Sequence, residues 1–458
     1  MEQRVKTGAT ISYGLILFAW GLLFSMNTAF WAYFMTDIQK MPTILMAKTL
    51  LVANVVDFCM VIVASILLQK LYPKVKYSTW LLVGPIVVAV GFAVMFAPVG
   101  DISVTAKAIL FGGAYCIQAG FQNIAFGAVN TMVPLMGKHP LDRAAFSARK
   151  AVGTNAGKLV YGVITVPMIM AINGGVKASA NGYFAIVILY GIVFIAANYL
   201  MYRYSREADI ALASEYIKSD KKSEPLLELF KIFFTNRHLL GIIIGDIVRI
   251  LAQFITWGLG VYYFMYVLKS MPLFAVFLTT VSVAGLLGSI VGEILARRFD
   301  KRYVYAAGLA ILFLAHLTNF VLFPKVAVTF MAVLDVGYFG MAIANACAIA
   351  ITSEAALYSE LKTGKEVKGF LMTMAILVPK VSNIISGSVL GFGLAAIGYV
   401  AKTPMTAEQL VGLNKLINFI PAAFLAVGII AILTLNKLST AKVNEMQVKM
   451  AEKNNISA

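Results

Sequence analysis

The 458-residue chain is 60% hydrophobic and only 13% charged, so most of it belongs in lipid rather than around a water-soluble core. Its net charge of +17 would suit nucleic acid, but the basic residues cluster in alternate loops between apolar runs, with only a lysine or two in each of the others, which argues against that partner. Three cysteines inside apolar runs and three scattered histidines exclude a disulfide scaffold and a metal enzyme, and with no nucleophile motif or phosphate loop neither enzymatic activity nor a cofactor is expected.

A run of about 20 apolar residues crosses the hydrocarbon core. Twelve such runs follow along the chain, at 9–35, 45–68, 80–98, 105–134, 147–172, 182–202, 239–268, 273–296, 304–323, 326–352, 369–399 and 413–436. The first is too long for a secretory leader and has no small-residue cleavage site, so it reads as a span. The expectation is an all-α membrane protein with twelve transmembrane helices in two six-helix bundles, 1–204 and 239–436. A central loop (205–238) and a tail (437–458) complete it. The central loop alternates charges (Arg206, Glu207, Asp209, Glu215, Lys218, Asp220, Lys221, Glu224), which suits a surface helix followed by a linker. Basic residues gather at Lys70, Lys74 and Lys76, at Lys138, Arg143, Arg149 and Lys150, at Arg297, Arg298, Lys301 and Arg302, and at Lys362, Lys365 and Lys368. By the positive-inside rule both termini and the central loop are then cytoplasmic.

Small residues at Gly112, Gly113, Gly120 and Gly127, at Gly285, Gly288 and Gly292, and at Gly387, Gly391, Gly393 and Gly398 predict close helix crossings. Cys59, Cys116 and Cys347 read as small core residues. His139 and His238 read as loop residues near the cytoplasmic face, and His316 as a packing residue inside a span.

The informative residues are the ionisable ones that lipid penalises, by about 2.5–3.5 kcal/mol each on the mildest scale. Asp57 stands in residues 51–68 with no other acidic or basic residue, and Asn54 lies one helical turn before it. Such a carboxylate can hold a proton, ligate sodium as a metal site, or pair with a lysine; Lys380 in the eleventh span has the complementary charge. Sodium prefers several oxygen ligands, and Met60 and Val61 supply none. Asp246, Arg249 and Gln253 share one face of the seventh span, as an internal ion pair or as an anion-binding fork. Asp335 and Lys158 are further midspan candidates, and Glu293 is expected to pair locally with Arg297. Tyr33, Gln118, Gln122, Asn123, Asn130, Asn155, Tyr262, Tyr263 and Asn345 are candidates to face a sugar-sized solute.

Several segments together resemble one family. Residues 358–369, reading YSELKTGKEVKG, are close to the DYGEWKTGKRxEG loop of the glycoside–pentoside–hexuronide:cation symporters, which are major facilitator transporters. Residues 12–14 (SYG) with Thr36 and Asp37 match the start and end of that family's first span, and 262–268 (YYFMYVL) is similar to its YYFKYVLG segment. Residues 132–134 (MVP), Asp142, Arg143 and the pair Arg149–Lys150 match the region after its fourth span. The resemblance implies that Asp57 is the first carboxylate of the cation site, Lys380 the eleventh-span lysine, and Asn123 the position of a hydroxyl residue near the cation. It also implies departures. The second cation-site carboxylate is Val61, and the two acids that grip sugar hydroxyls fall on Gly21 and Phe126. Two cavity tryptophans fall on Asn130 and Asn345, and a fifth-span arginine falls on Arg149 or Lys150.

The resulting expectation is a multi-pass monomer of the bacterial inner membrane, partnered by the lipid bilayer, that imports a modified or acidic glycoside with H+ or Na+ by alternating access. Asp57, Lys380, Asn123 and Asn54 would couple the cation. Gly21, Phe126, Asn130, Arg149, Lys150, Asp246, Arg249 and Asn345 would meet the solute. An uncoupled facilitator, a lipid or amphiphile transporter and a non-transporting sensor remain the alternatives.

Overall fold

A computed structural model describes residues 5–72, 74–136, 140–172, 179–216, 226–364, 371, 377–401 and 403–456. Within a bilayer every backbone polar group must be satisfied inside the segment, and the described residues accordingly form helices and no strands. In chain order these are α1 (Thr7–Tyr33), α2 (Thr43–Leu71), α3 (Tyr77–Met95), α4 (Val104–Met136), α5 (Pro140–Ala171) and α6 (Ala180–Tyr216). A short α7 (Leu226–Thr235) leads to α8 (Arg237–Tyr262), α9 (Pro272–Arg298), α10 (Lys301–Leu322), α11 (Ala327–Thr363) and α12 (Leu377–Ala396). The last are α13 (Ala407–Asn414), which runs through a turn of π-helix into α14 (Ile420–Leu435), and α15 (Thr440–Ile456). Each of the twelve anticipated spans thus coincides with a helix over its described residues, the start of the eleventh (369–376) lying largely outside them.

Eleven of these spans are long and apolar enough to cross a membrane by length and composition. The exception is α5, whose first half carries Asp142, Arg143, Arg149, Lys150 and the polar run 153–158. Its place in the bundle comes from packing instead. A Cβ on Gly153 would collide with the Gly14 carbonyl oxygen, and one on Gly157 would lie 2.5 Å from that of Phe18, so α1 and α5 touch backbone to backbone. These two glycines, four apart, form the tightest small-residue seam of the first half. Of the glycines singled out from the sequence, Gly288 and Gly292 do seat α9 on Phe339 and Ile343 of α11, whereas Gly113 and Gly285 face open space.

The chain divides into two compact units. The first comprises Met1–Lys221, Ser270–Thr279 and Gly387–Met405; the second comprises Lys222–Lys269, Thr280–Ser386 and Thr406–Ala458. In the first, α1 packs on α5 and α6, α3 on α4 and α6, and α2 on α4. In the second, α8 packs on α14, and α10 on α11 and α14.

An internal repeat links the first and seventh spans. Residues 33–42 (YFMTDIQKMP) and 263–272 (YFMYVLKSMP) agree at YFM and at MP, with a constant offset. Both segments end their helix in a turn of π-helix, Phe34–Ile38 and Tyr263–Val267, and both then place a lysine in the left-handed region, Lys40 and Lys269 at φ 57° and 51°. Two chain segments that break a helix in the same unusual way point to duplicated halves, the construction expected of transporters with parallel repeats.

Three local expectations are corrected. His238 is not in a loop but in the first turn of α8, 1% exposed, and its Nδ1 accepts from the Lys437 backbone N–H at 3.0 Å. Asp209 is not solvated: α6 continues through it, and its buried carboxylate accepts from the Ser78 backbone N–H at 2.6 Å, capping α3. Cys59 is exposed on α2 rather than buried in a core, while Cys347 is buried. The positions of His139, Lys138, Lys365 and Lys368 lie outside the described residues.

Candidate functional site

Asp57 lies midway along α2, and α2 packs against α4. The apolar run places the residue deep in the span, and helix packing turns it inward, leaving it 4% exposed. Asn123 of α4 donates through Nδ2 to Asp57 Oδ1 at 2.9 Å and to the Asp57 backbone carbonyl at 3.3 Å. One turn earlier, Asn54 accepts from the Tyr115 hydroxyl at 3.0 Å, and the Tyr115 ring stacks on Trp31 of α1 with centroids 4.8 Å apart. A Cβ on Gly387 would meet Asn54 Nδ2 at 2.7 Å, so the start of the Gly387–Met405 segment closes over this polar patch. The structure thus gathers Asp57, Asn123 and Asn54, together with Tyr115, which the sequence reading missed. Lys380 lies on α12 and is half-buried; it belongs to the second unit, Asp57 to the first.

The site offers one carboxylate and an amide that points its donor at it. Among the described residues, no group of three or more His, Cys, Asp or Glu side chains is placed to hold a metal ion. Val61, one turn beyond Asp57, brings no oxygen.

The expected solute residues fall in three settings. Gly21 is buried on the α1–α5 crossing, where a Cβ would sit 3.5 Å from Gly157 Cα. Phe126 packs in an aromatic shell around Trp20, at 5.6 Å, with Phe24, Phe92 and Phe194 also within 6.3 Å of that ring. Asn130, Arg149, Lys150 and Asn345 are exposed, so their polar groups remain accessible. Tyr262 and Tyr263 are fully buried instead, with Tyr263 stacked on Phe330 at 4.6 Å.

Asp246 and Arg249 form the expected ion pair, Nε to Oδ1 at 2.9 Å, and the Tyr305 hydroxyl of α10 donates to the same oxygen at 2.9 Å. Arg249 is 6% exposed, so its charge is committed to Asp246. Glu293 and Arg297 pair locally as expected, at 2.6 Å on an exposed face.

A second buried acid escaped the sequence reading as a site, although its residue was noted. Asp37, 1% exposed at the end of α1, accepts from Thr36 Oγ1 at 2.7 Å and from the Tyr399 hydroxyl at 2.7 and 2.8 Å. Thr43 donates to the Tyr399 carbonyl at 3.0 Å, and Lys107 donates to the Gln39 carbonyl at 2.9 Å. An acid at the end of an apolar run was the available signal.

Comparison with known proteins places the chain in a family. The sequence pattern of the MFS/sugar transport protein family matches residues 12–437. An uncharacterised symporter of Bacillus subtilis is 26% identical over 96% of this chain and 94% of its own length. Two Escherichia coli proteins are also 26% identical: a candidate 2,3-dihydroxypropane-1-sulfonate exporter, over 93% of this chain and 92% of that one, and a candidate sulfoquinovose importer, over 95% and 91%. The crystal structure of a D-xylose-proton symporter has the same fold, with a TM-score of 0.62 at 14% identity over 94% of this chain and 95% of that one. These relatives are membrane transporters and not enzymes, and the chain belongs to the sugar-transport family of the major facilitator superfamily.

Proposed function

We propose that this protein couples a proton to the movement of a small, hydroxylated, anionic sugar-like solute across a bacterial membrane. The observation that carries the coupling is Asp57, a midspan carboxylate 4% exposed and held by Asn123. A charge kept at that depth costs stability, and a function that alternately loads and empties it accounts for its presence. Protonation at Asp57 would weaken its bond from Asn123. By linkage, proton and solute would then favour the same conformation.

The anionic solute is supported by relatives named for sulfonates and by the chain's own residues. Positions that the family resemblance assigns to hydroxyl-gripping acids are Gly21 and Phe126, so no carboxylate there repels an anion. Arg149 and Lys150 are exposed on α5 and keep their charge available, whereas Arg249 is neutralised by Asp246. Import is the proposed direction; the relative named as an exporter makes export the second reading.

The test is uptake into proteoliposomes of a panel comprising neutral disaccharides, uronides and sulfonated sugars, with imposed proton or sodium gradients. The proposal expects the anionic members to be accumulated under a proton gradient. Preference for neutral disaccharides, or uptake indifferent to both gradients, contradicts it.

A further inference from the structure

Lys6, Leu200, Arg203 and Tyr204 line a cavity of about 220 Å³ where the start of α1 meets α6, within the first unit. The two helices pack on one another, and the Tyr204 ring lies over Gly8. A Cβ at Gly8 would sit 2.3 Å from the ring carbon Cζ and from the hydroxyl oxygen, so the missing side chain is what seats the ring there. The chain just before α1 is held as well, because the Val5 backbone N–H reaches the Asp142 carboxylate of α5 at 3.4 Å.

The cavity lies at the edge of the lipid. α6 begins at Ala180, so Arg203 is about 35 Å along it at 1.5 Å per residue, just past a hydrocarbon core ~30 Å thick. Lys6 immediately precedes α1 and shares that level, since Gly8 touches Tyr204. Tyr199 and Tyr204 are both exposed, as tyrosines are where a helix leaves the bilayer. Deeper in the membrane, exposed Ile11 and Leu15 continue the Gly8 face of α1, and exposed Leu200 and Ile192 continue the Arg203 face of α6. Basic groups at headgroup level thus stand above apolar side chains at acyl-chain level.

Charge and size narrow the occupant. Lys6 and Arg203 are exposed, and neither is in an ion pair among the described residues. Glu207, one turn beyond Arg203, is exposed too and does not bond it. A guanidinium fork, an ammonium and a phenol around one cavity suit a phosphate. The cavity is smaller than the ~300–1,000 Å³ that enclose a drug-sized ligand, so it takes a headgroup phosphate and not a whole glycoside. No carboxylate lines it to receive the ammonium of a zwitterionic headgroup.

We infer that this cavity binds the phosphate of an anionic glycerophospholipid, in the leaflet that the positive-inside rule assigns to the cytoplasm. Arg203 and Lys6 hold the phosphate oxygens, the Tyr204 hydroxyl donates to the same group, and an acyl chain runs down past Leu200 and Ile11. The bound lipid braces α1 against α6. The inference rests on the chain's place in the bilayer, not on a proton at Asp57 or on the charge of the solute.

The test is native mass spectrometry of the full-length protein in detergent, titrated with phosphatidylglycerol or with phosphatidylcholine of the same acyl chains. The first phosphatidylglycerol should bind about tenfold or more tightly than the first phosphatidylcholine. Arg203→Gln and Lys6→Gln should each weaken it about fivefold, whereas Arg298→Gln, which removes an exposed charge at the end of α9, should change it by less than about twofold. Gly8→Ala, which displaces the Tyr204 ring and leaves every charge in place, should weaken it as well. Equal affinity for the two lipids overturns the inference. So does Arg298→Gln matching Arg203→Gln, the mark of diffuse attraction, or displacement of the lipid by an equal concentration of inorganic phosphate, the mark of a soluble-anion site. Proton-driven uptake by Asp57→Asn, lost or kept, leaves these affinities unmoved and bears only on coupling.

Discussion

Replacing Tyr399 by Phe removes a single oxygen atom from one of the most deeply buried charged groups in the first unit. The Tyr399 hydroxyl lies 2.7 and 2.8 Å from the two carboxylate oxygens of Asp37. It has only one proton, so these two distances describe one shared hydrogen bond, not two. A bond to a charged group contributes about 1.5–3 kcal/mol, and Asp37 is only 1% exposed, so bulk solvent does not reach it. Thr36 still donates at 2.7 Å, which keeps the loss near that range rather than at the full cost of an isolated buried charge. Heat unfolding in detergent at a fixed scan rate should therefore show a midpoint lower by roughly 2–5 °C. Asp37→Asn weakens the same bond from the other side. The double variant should then cost less than the two single variants added together, by about 1–2 kcal/mol. Additivity within about 0.5 kcal/mol, or a Tyr399→Phe midpoint equal to that of the parent, would refute the reasoning.

Other substitutions probe packing and charge. Gly157→Val should prevent stable folding because its side chain meets the Phe18 backbone, whereas Gly113→Ala should be neutral; monodispersity in size-exclusion chromatography distinguishes them. Arg249→Met should destabilise by about 3–5 kcal/mol through the stranded Asp246, and adding Asp246→Asn should recover most of the loss in the same unfolding assay. Arg149→Gln with Lys150→Gln should weaken binding of a sulfonated solute more than binding of its neutral analogue, read by calorimetry; equal weakening would remove these residues from anion recognition.

The spans were legible because lipid demands apolar runs, and the resulting helices depart mainly where polar residues continue them. α11 extends to Thr363 and α6 to Tyr216, past the ends of their apolar runs, since a helix leaving the membrane needs no hydrophobic surface. Asp57 was legible for the converse reason, as a charge where none is affordable. Its bond from Asn123 could be expected only through the family resemblance, because the two residues are 66 positions apart. Asp209 was misread because a charge in an alternating run looks solvated until the helix N-terminus it caps is known. Gly153 and Gly157 escaped because they lie in the least apolar span, where a packing seam is not anticipated. The YFM–MP repeat was visible in the letters alone. Its meaning emerged with the two π-turns, a backbone property that residue periodicity does not encode.

The proton on Asp57 is the central claim, and one comparison addresses it directly. In proteoliposomes, Asp57→Asn should lose uphill accumulation driven by an imposed proton gradient while keeping solute exchange at equal concentrations on both sides. Accumulation at the parent level in that variant would contradict the account.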